Sequence, residues 1–498
     1  MRKKITAFTL LGVMGAFIIV TCIALVRRDD VLQDAYRRFD TITINATYNH
    51  TNRSLSAIQT IDYKNRSDQV KHEVKFHIYA NAYREGTTFG VVAPHEINNA
   101  FPNGRSFGRI DIQTVRVDGA STVPIITGED KNVLKVLVKE LQPSQVANIE
   151  IIYTVHLANI AHRLGWTNRV VNLGNFYPVP VVFQDGEWMT FPYSYNGDPF
   201  FNGVNNFNVT LTKPRNMIMA SSGTVIQTRT TDTTRTTTVE SRAIRDWAAV
   251  LSPYFKSMTR YVNRVAVNYF FLDDPDPVAS LNTSVRALET FSRLFVQYPF
   301  RQLTVVQTDF LHGGMEYGEI VFISTSLTDR EQIDRVIVHE IAHQWWYGLV
   351  GNDQARSAWI DEGLAEYSTL LFFDKNRDLA PADFCFPTTV NMYRTSFATF
   401  AGTIRGIGAM PNMNMNRCLN SFSTQYEYFY LAYVRGMLLF ADLESLVGRN
   451  AMISAMSKFA RENMFGFGDK ERLVSSFERA TNQRLGLFFQ SYTTGFGF

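Results

Sequence analysis

The sequence predicts an α+β chain: a β-rich N-terminal domain, a mixed but mostly helical C-terminal domain, and one N-terminal transmembrane helix ahead of both. Three observations carry this reading. An uncharged apolar run fills Ile5–Val26, alternating and β-branched segments dominate from about Tyr36 to Tyr261, and helical periodicity takes over after Asp273–Pro277 (DDPDP). A chain of 498 residues is too long for one compact core. Apolar residues at 45% and charged residues at 19% exclude wholesale disorder. Lys+Arg 49 against Asp+Glu 46, with no basic stripe, gives no support to a nucleic-acid partner. No internal repeat of solenoid length is present.

Arg2, Lys3 and Lys4 precede the apolar run, and Arg27 and Arg28 close it. Twenty-two residues at about 1.5 Å each reach about 33 Å, enough to cross the lipid bilayer. The expectation is a signal anchor: residues 1–4 a cytosolic tail, residues 5–26 the single span in the cell membrane, and the remainder extracytoplasmic. The competing readings are a cleaved signal, for which no A-x-A site is evident, and a lipoprotein signal ending at Cys22, which Thr21 fits poorly. Cys385 and Cys418 fall in the outer part. They are read either as one disulfide closing a loop of about 34 residues, worth about 3 kcal/mol, or as two free buried thiols. The N-x-S/T sequons at Asn45, Asn49, Asn52, Asn65, Asn208 and Asn282 occur at about the frequency chance gives, so they do not argue for glycosylation.

In the β-rich region Lys71–Tyr79 and Phe207–Leu211 alternate, and Val133–Val138 and Ile149–Val155 are β-branched and apolar. The Thr-rich stretch Thr228–Thr238 predicts strand and turn with a solvated face. Further on, helices are expected over Leu281–Tyr298, Glu331–Gly348, Trp359–Phe373, Tyr426–Val447, Ala451–Arg461, Asp469–Ala480 and Leu485–Tyr492. Short strands are expected at Leu303–Val306 and Glu319–Ile323.

The chemistry concentrates at His339-Glu340-Ile341-Ala342-His343. On a helix, positions i and i+4 share a face, so both imidazoles reach one zinc ion. A catalytic Zn2+ needs a third protein ligand and an open position for water. Glu362, 19 residues after His343 at the start of the next helix, is the natural third ligand. Glu340 sits beside the first ligand, where a general base belongs. A structural zinc site would favour cysteine and leave Glu340 without a role. Glu366, one turn beyond Glu362, has two readings: an acceptor that fixes a ligand imidazole, or a solvated helix charge. Trp345, Trp346 and Trp359 are expected in the core.

H-E-x-x-H, eighteen residues, then a glutamate in W-x-x-E-G resembles the signature of the gluzincins of the aminopeptidase N family. Gly313-Gly314-Met315-Glu316-Tyr317 is similar to that family's G-x-M-E-N motif, and Tyr433-Val434-Arg435-Gly436 to its Y-x-K-G motif. The resemblance implies that Glu316 binds the substrate's free α-amine, with Gly314 and Met315 beside it. It also implies that Tyr433 donates a hydrogen bond to the oxyanion of the tetrahedral intermediate. Leu173–Gly223 is similar to the family's N-terminal β-saddle, so residues 27–260 are expected to form that domain and residues 261–498 a thermolysin-like zinc peptidase domain. Tyr317 stands where the family has asparagine. No N-terminal-domain glutamine motif for a second amine contact is found, and the sequence stops soon after the expected catalytic domain. The implied activity is a zinc metallopeptidase acting on peptides, most simply an aminopeptidase. The alternatives are an endopeptidase with an open cleft and a binding module on an inactive peptidase fold.

Overall fold

A computed structural model of the chain describes residues 34–406 and 412–494. The expected tail and membrane span at residues 1–26, and Cys22, lie outside the described residues. Among the described residues no helix is long and apolar enough to cross a membrane.

The N-terminal half is built on an eight-stranded sheet. Its order is Thr224–Thr230, Thr234–Ile244, Asn205–Pro214, Thr41–Asn49, Ser54–Lys64, Val146–His156, Arg109–Val117 and Ala120–Thr122. Alternation along Ser54–Lys64 and Val146–His156 puts Leu55, Ala57, Ile61, Ile149, Ile151, Tyr153 and Val155 into the core. The Thr-rich stretch is the expected hairpin: Thr224–Thr230 is exposed throughout. Its partner lies against Asn205–Pro214 through hydroxyl pairs, Thr210 with Thr238 at 3.0 Å and Thr212 with Thr236 at 2.8 Å. Two four-stranded sheets and a two-stranded one, Phe183–Gln184 with Glu187–Trp188, complete this half.

A five-stranded sheet follows, in the order Lys256–Val262, Val265–Phe271, Gln302–Thr308, Ile320–Ser324, Gly314–Tyr317. The central pairs are parallel, and the edge strand Gly314–Tyr317 runs antiparallel, with Glu316 opposite Val321. Helices gather beside this sheet. Asp276 caps Pro277–Leu294 by accepting from the Ala279 amide, and Asp329 caps Arg330–Ala342 by accepting from the Gln332 amide.

Two helix expectations need correction, and one further helix is present. The helix expected to run to Gly348 ends at Ala342, because the chain turns back on itself. The Gly348 amide bonds the His343 carbonyl at 2.8 Å, and Tyr347 takes φ 129°, where a helix cannot continue. The helix expected over Tyr426–Val447 widens into a π-helical stretch at Phe429–Arg435. A helix at Phe386–Gly406 was not anticipated, since its buried residues Phe386, Val390, Phe397 and Phe400 are diluted by threonines. Cys385 and Cys418 are free and exposed, so neither the disulfide nor buried thiols are present.

The two halves interlock at Arg245. Its guanidinium is buried and donates to the carbonyl oxygens of Tyr347 at 2.5 Å, Asn202 at 3.0 Å, Leu349 at 3.4 Å and also Gly466. A Cβ on Gly351 would lie 2.3 Å from the Arg245 Cζ, so only glycine admits the guanidinium there.

Candidate metal and catalytic site

His339 and His343, at the C-terminal end of the Arg330–Ala342 helix, bring their Nε2 atoms to 3.0 Å. Glu362, in the first turn of Trp359–Lys375, places Oε2 3.3 Å from each. The three form a group able to hold a metal ion.

Their protons are assigned from their outer partners. His343 Nδ1 lies 2.9 Å from the Trp346 carbonyl oxygen, which only accepts. His339 Nδ1 lies 3.1 Å from Glu366 Oε1. Each Nδ1 therefore carries the hydrogen, and each Nε2 turns a lone pair toward the other and toward a carboxylate oxygen that has no hydrogen-bond partner. Three buried lone-pair donors facing one point repel unless a cation lies among them. Two imidazole nitrogens and one carboxylate are the donor set zinc takes in catalytic sites.

Glu366 is not a solvated charge. It is buried, faces His339, and accepts from Arg335 Nη2 at 2.5 Å. Glu340 is buried beside these groups with Oε2 unpartnered. Burial pushes its carboxyl up to about 7, aided by Glu362 and Asp198 and opposed by the two histidines. Gly314 lies against it: a Cβ there would sit 2.3 Å from Glu340 Oε1. The edge strand can approach the catalytic helix this closely only because that residue has no side chain.

Glu316, two residues along the strand, is buried, with a carboxylate oxygen within 4.8 Å of ligand atoms of His343 and Asp361. Burial, then the Asp198 carboxylate, holds its carboxyl well above the usual range. Met315 turns the other way and receives Arg163 Nε at 3.1 Å from its sulfur. Tyr317 also faces away from Glu316. A Cβ on Gly174 would lie 2.1 Å from the Tyr317 hydroxyl, so that glycine makes room for the larger ring.

Tyr433 donates to Glu362 Oε1 at 2.5 Å and stacks on the His339 ring, with centroids 5.8 Å apart. Tyr428 reaches the same oxygen at 3.5 Å. These tyrosines are five residues apart at the start of the π-helical stretch, whose wider turn brings such positions toward one face. Trp345, Trp346 and Trp359 are buried, each with its indole N–H bonded.

Sequence reasoning missed Tyr428, Gln354, Asp361 and the buried Arg163–Asp198 ion pair. Asp198 lies within Leu173–Gly223, a stretch the sequence marks only by its similarity to the β-saddle. Gln354 carries no motif and was found only through its contacts.

Fold and donors together define a candidate metal site of two histidines one turn apart and a glutamate on a later helix. Residues 279–492 match the Peptidase family M1 domain. Bovine (Bos taurus) endoplasmic reticulum aminopeptidase 2 is 35% identical over 104 residues, 18% of this chain and 11% of that protein. Aminopeptidase M1-A of Oryza sativa subsp. japonica is 22% identical over 320 residues, 60% of this chain and 35% of that one. These matches therefore span about a tenth to a third of the relatives' lengths. A mutant of the M1 zinc metallopeptidase from Deinococcus radiodurans superposes with TM-score 0.66 at 14% identity, covering 92% of this chain and 94% of that one. A second crystal structure of that mutant, bound to a Tyr-Ser-Ala substrate, gives 0.65. At such identity the likeness establishes the fold: an N-terminal β-rich half followed by a helical half.

Proposed function

We propose that the chain is a zinc-dependent aminopeptidase, its helical half a thermolysin-like catalytic domain and its β-rich half a β-saddle. The observation that carries this is Glu316. A buried carboxylate within 4.8 Å of a histidine of the metal trio is where a substrate's α-ammonium would be held. Anchoring that ammonium fixes the first peptide bond over the site and so sets the register of cleavage.

His339, His343 and Glu362 would hold the zinc ion, which when bound supplies Lewis-acid polarisation and lowers the pKa of water. Glu366, fixed by Arg335, keeps His339 oriented. Glu340, buried and with a free oxygen, takes the proton from the attacking water and passes it to the leaving amine. Tyr433 turns its hydroxyl from Glu362 to the oxygen on which charge develops. Membrane anchoring through residues 5–26 rests on the sequence alone. It would show as sedimentation of the full chain with membranes and release of a chain lacking that segment.

The deciding experiment uses the fragment from about Asp29 onward, with free-amine aminoacyl-coumarins and an N-blocked peptide library, each with and without chelator. Chelator-sensitive release from free amines alone is expected. Cleavage inside blocked peptides would overturn the aminopeptidase reading in favour of an endopeptidase, and no turnover by zinc-loaded protein would favour a binding module.

A further inference from the structure

Gln354 opens the short helix Gln354–Ser357, between the two metal-bearing helices. Its backbone amide is tied to the Phe200 carbonyl of the β-rich half at 3.2 Å, and its side chain is buried. One nitrogen, Nε2, donates to Glu316 Oε1 at 2.7 Å and to Asp361 Oδ2 at 2.6 Å. An amide nitrogen has two hydrogens, and here each goes to a different carboxylate. Oε1 of the same amide is buried with no hydrogen-bond partner among the described residues. Asp361 is held from its other side by Asn352 Nδ2 at 2.9 Å. The arrangement is a clamp across two elements, the edge strand that carries Glu316 and the helix that carries Glu362. It leaves one acceptor unused beside the Glu316 carboxylate.

A buried amide oxygen without a donor is costly unless a donor arrives. An ammonium group at Glu316 has three N–H donors, and one carboxylate does not use them all. We propose that Gln354 is a specificity-determining residue: its nitrogen positions Glu316, and its oxygen accepts a second hydrogen bond from the substrate's α-ammonium. This rests on the aminopeptidase reading and deepens it. It makes selection of a free N-terminus a property of two residues from within the M1 domain, Glu316 and Gln354.

The test compares wild-type and Gln354→Met, both zinc-loaded, on leucyl-coumarin and on its des-amino analogue, 4-methylpentanoyl-coumarin. Methionine keeps the length and bulk and removes both amide functions. For leucyl-coumarin, KM is expected to rise about tenfold or more with kcat reduced less than about threefold, while the des-amino analogue is turned over within about twofold of wild-type. Gln354→Asn, which keeps the amide one methylene short, should recover part of the loss. An unchanged KM for leucyl-coumarin overturns the proposal. So does an equal loss on both substrates, which would make Gln354 a purely structural residue. If the methionine variant binds less zinc or melts early, the same substrate pair is run on Gln354→Asn, where loss confined to the free-amine substrate supports the proposal and uniform loss overturns it. Failure of wild-type itself to prefer the free amine removes the aminopeptidase reading and this proposal together.

Discussion

Gly363 and Gly436 meet backbone to backbone. A Cβ on Gly363 would lie 2.8 Å from the Gly436 carbonyl carbon, and one on Gly436 would lie 2.9 Å from the Gly363 Cα. Each glycine adjoins the chemistry: Gly363 follows the third metal-site residue, and Gly436 lies three residues after Tyr433. The close crossing lets the Tyr433 hydroxyl reach Glu362 at 2.5 Å. Gly363→Ala or Gly436→Ala should therefore push the two helices apart. We expect a loss of about 1–3 kcal/mol in urea unfolding and a fall in kcat larger than any change in zinc content.

Glu340→Gln keeps the size of the side chain and removes its basicity. With zinc content verified, kcat should fall by at least about 100-fold. A variant retaining more than a few per cent of wild-type activity would exclude Glu340 as the proton carrier.

Tyr433→Phe removes one hydroxyl. A drop of about 100- to 1,000-fold in kcat with little change in KM is expected if that hydroxyl supports the developing oxyanion. A change in KM alone would assign Tyr433 to substrate binding instead.

Glu366→Gln should weaken zinc binding about 10- to 100-fold in a chelator competition, because it breaks the contacts that orient His339. In the wild type, chelation should lower the melting temperature and zinc should restore it. A ligand at 1,000 times its Kd stabilises the folded state by about 4 kcal/mol.

His77 gives a pH prediction away from the metal. It is fully buried, with ring centroids 5.0 Å from Tyr79 and 4.7 Å from Phe191. Burial, reinforced by the Arg356 charge and opposed by a backbone contact to Met189, lowers its pKa from 6.5 to about 4. The unfolded chain takes up a proton near pH 6.5 and the native ring only near 4. Stability is thus full above pH 6.5 and is lost as the pH falls through that window, by about 3 kcal/mol in all. His77→Phe should flatten the dependence, seen as a smaller shift in urea midpoint between pH 7 and pH 4.5 than in wild-type.

The legibility of the site followed sequence distance. His339, Glu340 and His343 declare themselves because one helical turn fixes their relation. Glu362 is readable because the resemblance implies a glutamate ligand 19 residues after the second histidine. Gln354 was invisible because it acts on Glu316 across 38 positions of chain, from a helix too short for periodicity. The helix at Phe386–Gly406 was missed because its threonines mask the apolar stripe. The end of the metal-site helix was misplaced because its turn depends on Tyr347, held by Asp246 of the β-rich half. Tyr317 departs from the family motif without disturbing Glu316, since alternation along the strand sends it to Gly174.

Arg245 gives the molecule a single thermodynamic fate. Its guanidinium belongs to the β-rich half, but most of the oxygens it neutralises belong to the helical half, including those in the turn after the metal-site helix. Splitting the chain between the halves would strand a buried cation on one side and bare carbonyls on the other, a penalty neither fragment can relieve without unfolding locally. Heating should accordingly produce one calorimetric transition rather than two. The β-rich half is thus a keystone of the catalytic centre, which should lose its shape when the arch is cut.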